Sequence, residues 1–158
     1  MIYLWYVIYF ILQCTWGALQ TLVGLIFFLV NIKKPHNFYK GCINTKWNLY
    51  GGISLGLFIF TPNENCKELE QITEGSHEKL CEGASKIRVH EYGHTYQSLI
   101  LGPFYIIPGI ISICWANMKR YRRLREKYGV PYSFCWVESW ADRLGEKVTG
   151  MPSVGSVD

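Results

Sequence analysis

Val89-His90-Glu91-Tyr92-Gly93-His94-Thr95 lies between a charged segment and a strongly apolar one. Wound as a helix, this stretch places His90 and His94 one turn apart, so both imidazoles leave the same face and can hold one metal ion. Glu91 then sits beside them, where a carboxylate can take a proton from water that a metal has acidified. The HExxH spacing predicts a zinc site on a helix over 84–102, with His90 and His94 as ligands and Glu91 as general base. Gly93 inside that helix costs about 1 kcal/mol relative to alanine, which predicts a second backbone or helix close against it.

Two histidines leave a catalytic zinc short of protein ligands. The persuasive downstream candidate is Glu138, in Val137-Glu138-Ser139-Trp140-Ala141-Asp142. Asp142 is again one helical turn further on, so a helix over 133–147 that presents Glu138 to the ion presents Asp142 to the outer ring nitrogen of a ligand histidine. Peptide hydrolysis also needs a group to stabilise the oxyanion. Tyr128, Tyr132 and Arg143 are candidates by their nearness to Glu138 in the chain. The ordinary alternative is a pair of core or capping histidines and a solvated helix face; correct spacing in both segments weighs against that double coincidence.

Around these two segments the charge is unevenly spread. No charged side chain occurs from Met1 to Val30 or from Thr95 to Met118. Residues 2–31 exceed the ~20 needed to cross a bilayer, with Trp5, Tyr6 and Tyr9 at one end, and predict a transmembrane helix that is retained, since no basic residue precedes Lys33. Its excess length allows tilt, a projecting end or a break near Gln13 to Gly17. Lys33, Lys34 and Lys40 follow one apolar segment, and Lys119, Arg120, Arg122, Arg123, Arg125 and Lys127 follow the other. By the positive-inside rule both clusters are cytoplasmic and the N-terminus lies outside. Residues 103–118 are then a re-entrant hairpin turning at Pro108-Gly109, the alternative being a second, kinked span. The net charge of +4 reads as membrane orientation instead of nucleic-acid binding.

Residues 42–60, with Gly51-Gly52 and a β-prone run from Ile53 to Phe60, predict a β-hairpin, a candidate edge for an extended substrate. Residues 63–83 carry Glu64, Glu68, Glu70, Glu74, Glu78 and Glu82 and predict an acidic loop or frayed helix. The six cysteines have no metal-site spacing, and Cys66 and Cys81 are expected to be free thiols. No repeat or second core is evident in 158 residues, so 1–158 is one domain.

His90-Glu91-Tyr92-Gly93-His94 together with Glu138-Ser139-Trp140-Ala141-Asp142-Arg143-Leu144-Gly145 resembles the gluzincin metallopeptidases, in the membrane branch of CAAX prenyl endopeptidases and bacterial heat-shock membrane proteases. The resemblance covers about a third of the chain. It implies His90, His94 and Glu138 as zinc ligands, Glu91 as catalytic base and Asp142 as support for a ligand. Members of that branch are longer, with more spans. A site-2-type protease fits less well, because Asp142 is followed by Arg143 in a polar segment. The string with Gln97-Ser98 and Leu101-Gly102-Pro103 also resembles small uncharacterised bacterial membrane proteins.

The expectation is therefore a mainly α membrane protein with a small β-hairpin: an N-terminal transmembrane helix, the HExxH helix, a re-entrant or short apolar hairpin and a C-terminal ligand helix. It is read as a zinc (Zn2+) endopeptidase of the bacterial cytoplasmic membrane, its active site on the cytoplasmic side, with membrane lipid and a peptide or membrane-protein substrate as partners. The alternative is a non-catalytic, membrane-anchored zinc protein that binds lipid or a protein partner.

Overall fold

The computed structural model describes residues 2–63, 66–72 and 76–156. It is mostly helical with one small mixed sheet. The elements in order are α1 (Ile2–Thr15), α2 (Ala18–Val30), β1 (His36–Tyr39), β2 (Cys42–Trp47), β3 (Ile53–Leu55), β4 (Phe58–Pro62), α3 (Lys67–Ile72), α4 (His77–Leu101), α5 (Ile106–Asn117), α6 (Lys119–Tyr128) and α7 (Trp136–Thr149). Short 3-10 turns at Gly102–Tyr105 and Tyr132–Phe134 precede α5 and α7.

The helix expected over 2–31 is two helices, α1 and α2, bent by 94°, and of the alternatives its length allowed, the break near Gln13 to Gly17 is the one found. The cause is polar. Gln13, Gln20 and Thr21 are buried, and a straight helix would leave part of this set in an apolar surround without partners, at a cost of several kcal/mol per group. At the bend, Thr21 Oγ1 donates to Gln13 O (2.7 Å), Gln13 Nε2 to Thr95 O (3.0 Å), and Gln20 Nε2 to Ser98 Oγ (2.7 Å) and Gly102 O (3.1 Å). The polar side of the bent pair is thus stitched to α4, and its apolar side chains, from Leu4 to Val30, face outward.

The strands also depart from the expected hairpin over 42–60. Two hairpins, β1–β2 and β3–β4, lie side by side in the order β1-β2-β4-β3, with β2 parallel to β4. The first turns at Lys40-Gly41, both at positive φ (47° and 94°), as a two-residue turn that matches strand twist. The second turns at Gly56 (φ 62°) and Leu57. β4 is buried throughout, and Ile59 and Phe60 meet Tyr9 and Tyr92 in the core. β3 is an edge.

Helix α4 begins at His77, seven residues earlier than the expected 84, and takes up the end of the supposed acidic loop. Its polar first turns are held by Leu80 packing with Cys66 and Ala84, and by a Lys86–Glu82 ion pair at 2.9 Å. α3 occupies another part of that loop; Glu64 and Glu74 lie outside the described residues. No disulfide joins any of the six cysteines.

After α4 the chain reverses. A straight helix would set Trp115 about 37 Å beyond His90 at 1.5 Å per residue. Instead Trp115 Nε1 donates to Tyr132 O at 2.9 Å, and the Tyr132 ring centre lies 6.5 Å from that of His90. The return occurs at Gly102 (φ 53°, ψ −128°), where the helix expected over 84–102 was to end, and the hairpin turn expected at Pro108-Gly109 is not made. Pro108 falls in the first turn of α5, where a missing N–H is tolerated. By length and composition the helical run His77–Asn117 qualifies to cross a bilayer, and 17 % of its apolar window is buried.

Candidate metal centre

α4 and α7 make the most extensive helix–helix contact among the described residues. Two glycines permit it. A Cβ on Gly93 would stand 2.7 Å from the Ala141 carbonyl carbon, and a Cβ on Gly145 would stand 3.0 Å from that of Val89. Carbon pairs rest at about 3.5–4.0 Å, so neither position admits a side chain. The close neighbour expected of Gly93 is therefore α7.

This crossing sets Glu138 and Asp142 against the histidines. Glu138 Oε2 is 3.1 Å from His90 Nε2 and 3.3 Å from His94 Nε2, and the two Nε2 atoms are 3.2 Å apart. Four-coordinate zinc with ligands at about 2.0–2.1 Å separates neighbouring donors by about 3.3 Å. The triangle has the dimensions of one face of that tetrahedron.

Proton positions follow from the outer partners. Gln97 Nε2 donates to Val137 O at 2.7 Å, so its Oε1 faces His94 Nδ1 at 2.8 Å and accepts a proton from it. His90 Nδ1 donates likewise to Asp142 Oδ1 at 2.7 Å. With its Nδ1 proton so placed, each imidazole can turn a bare Nε2 lone pair to a metal or, protonated there as well, donate from Nε2 to Glu138. Glu138 is 1 % exposed, and its other oxygen, Oε1, is buried without a hydrogen-bond partner. With both Nε2 atoms bare, three acceptors converge in a buried space and call for a cation. Burial alone would raise the Glu138 carboxyl, but hydrogen bonds from His90 and His94 hold it well below the usual carboxylate range.

These three residues could hold a metal ion, and no fourth His, Cys, Asp or Glu joins them among the described residues. A site with three protein ligands keeps a position for water or substrate. Glu91 is buried beside them; burial pushes its carboxyl up, and the imidazoles of His94 and His90 pull part of that back. A Cβ on Gly52 would be 2.6 Å from Glu91 Cδ. The backbone entering edge strand β3 therefore lies directly on the Glu91 carboxyl.

Of the three expected oxyanion donors, Tyr132 stands beside His90. Burial, then the charges of Glu138 and Glu91, push its phenol well up, so it keeps its proton. Tyr128 is 64 % exposed under Lys127, and Arg143 is exposed on α7. Sequence reasoning did not assign roles to Gln97 and Gly52. Gln97 lies one turn after His94, a usable signal; Gly52 looked like a turn residue. No family model, curated protein or solved structure matches the chain.

Proposed function

We propose that the chain is a gluzincin-like, membrane-embedded zinc endopeptidase working near the cytoplasmic face. The observation that carries this is the buried His90–His94–Glu138 group, able to hold a metal ion, with Glu91 buried beside it. His90, His94 and Glu138 would hold zinc, which would supply Lewis acidity toward a peptide carbonyl and lower the pKa of a water. Glu91 takes the proton from the attacking water and returns it to the departing amine. Tyr132 donates toward the oxygen that gains charge.

Edge strand β3 offers the substrate a place. Leu55 and Phe58 close a two-residue turn, so the backbone groups of Ser54 point away from β4. Ser54 is buried, and an extended peptide that reached these groups would lie alongside Glu91. The outward apolar faces of α1, α2 and α5 support embedding in lipid.

The test uses purified full-length protein in nanodiscs, wild type and Glu91→Gln, with bound zinc measured per chain and cleavage of a fluorogenic peptide library. Zinc is retained in both, and cleavage falls by ~10²–10⁴-fold in the variant. Full cleavage by the variant sinks the mechanism. A wild type that holds zinc and cleaves nothing in the library favours the non-catalytic zinc protein.

A further inference from the structure

Helix α6 carries Lys119, Arg120, Arg122, Arg123, Arg125 and Lys127 against a single acid, Glu126, a formal charge of +5. The whole chain carries +4, so the remainder is −1 and the positive charge of the protein resides in this one helix. None of its residues is buried.

The helix divides its cations between two uses. Tyr121 packs on Trp115, with ring centres 5.6 Å apart. Arg125 donates to Trp115 O and lies 4.8 Å over the Trp115 ring and 5.5 Å over that of Tyr132. These contacts fix which side faces inward. At 100° per residue, Arg122, Glu126, Lys119 and Arg123 fall within one 100° arc next to that side, where they line one shallow depression. Arg120 and Lys127 flank it, the latter 5.1 Å over the exposed Tyr128 ring. Met118 is exposed at the join with α5 and Leu124 farther along α6, and Ile106, Ile107, Ile110 and Ile113 of α5 are exposed. An exposed apolar helix is therefore followed directly by a cationic one.

We propose that α6 is a docking surface for the anionic headgroups of a bilayer, with α5 entering the lipid beside it. This rests on the membrane embedding proposed above. An exposed apolar α5 followed directly by the cations of α6 favours a lipid surface over a soluble polyanion, which would leave the α5 isoleucines without a partner. Each basic side chain near such a surface contributes about five-fold to partitioning, so removing three is an effect on the order of a hundred-fold.

The test is hydrogen exchange of the full chain in neutral phosphatidylcholine nanodiscs and in discs containing phosphatidylglycerol. Protection of 119–128 is expected on the anionic discs only. It should be lost at 0.5 M salt, where screening is strong, and lost in the triple variant Lys119→Gln, Arg122→Gln, Arg123→Gln. Equal exchange of 119–128 in the two lipids overturns the proposal, as does protection on neutral discs by an added RNA oligonucleotide. Residues 102–117 are a separate readout: their protection in both discs upholds the membrane reading whatever α6 does, and their free exchange in both overturns it.

Discussion

Replacing Gly93 with alanine tests the idea that the metal centre is set by the approach of two backbones. The new methyl carbon would sit 2.7 Å from the Ala141 carbonyl carbon. Restoring ordinary contact requires α4 and α7 to separate by at least about 0.8 Å. Metal–ligand distances tolerate about ±0.2 Å, so the displacement is roughly four times what the ion can absorb, and Glu138 leaves the triangle. Two stability effects compete in the metal-free protein. Alanine gains about 1 kcal/mol in helix propensity, and overpacking costs about 1–3 kcal/mol. The fold therefore survives with a loss of ~0–2 kcal/mol, while zinc affinity falls by at least ~10–100-fold, the penalty known for disturbing the shell around a ligand. Zinc titration against a competing chelator, paired with thermal melts in excess chelator, separates the two. Unchanged zinc affinity in a folded Gly93→Ala protein refutes the reasoning, because α4 and α7 would then be free to part without moving the ligands.

Asp142→Asn removes the charge that orients His90 and should weaken zinc binding by ~10–100-fold in the same titration. Tyr132→Phe should leave zinc content and the Michaelis constant unchanged and lower turnover by ~10²–10³-fold, the usual effect of removing an oxyanion donor; an unaltered turnover removes Tyr132 from the mechanism. Glu146 accepts from Ser156 Oγ at 2.6 Å and Ser153 Oγ at 2.8 Å, and these bonds, the one to Ser156 first, lower its carboxyl below the ordinary value. A depressed carboxylate stabilises the fold above its unfolded pKa, near 4.5, and that contribution is lost as pH falls through the depressed value. Amide exchange of 150–156 should accordingly rise below pH 4.5 in wild type and already be fast at neutral pH in Glu146→Gln.

The site was more legible than the path of the chain that frames it. His90, His94, Glu138 and Asp142 could be placed because helical periodicity converts spacing into a shared face without knowledge of the fold. Gly93 also announced its neighbour, through a propensity cost with no local return. The bend between α1 and α2 was harder to see, since its cause is a set of bonds from Gln13 and Gln20 to residues more than seventy positions away. Pro108-Gly109 looked like the turn of a hairpin, yet a proline in a first helical turn is harmless, and the chain reverses at Gly102, at positive φ, where α4 was expected to end. β1 was missed because His36-Asn37-Phe38-Tyr39 has no apolar alternation. The parallel register of β2 with β4 depends on where two hairpins meet, which neither hairpin specifies alone.

The meeting of Gly93 with Ala141 and of Gly145 with Val89 has a further consequence, for selection among ions. A flexible site lets each metal impose its own radius and coordination number; a site clamped by touching backbones makes the ion conform. With two nitrogens and one oxygen fixed near 3.2 Å apart, magnesium and calcium, which seek six or more oxygens, gain little by entry. Copper and nickel prefer tetragonal arrangements. If the proposed zinc is held here, discrimination among ions would rest on helix–helix contact, at positions that never touch the metal.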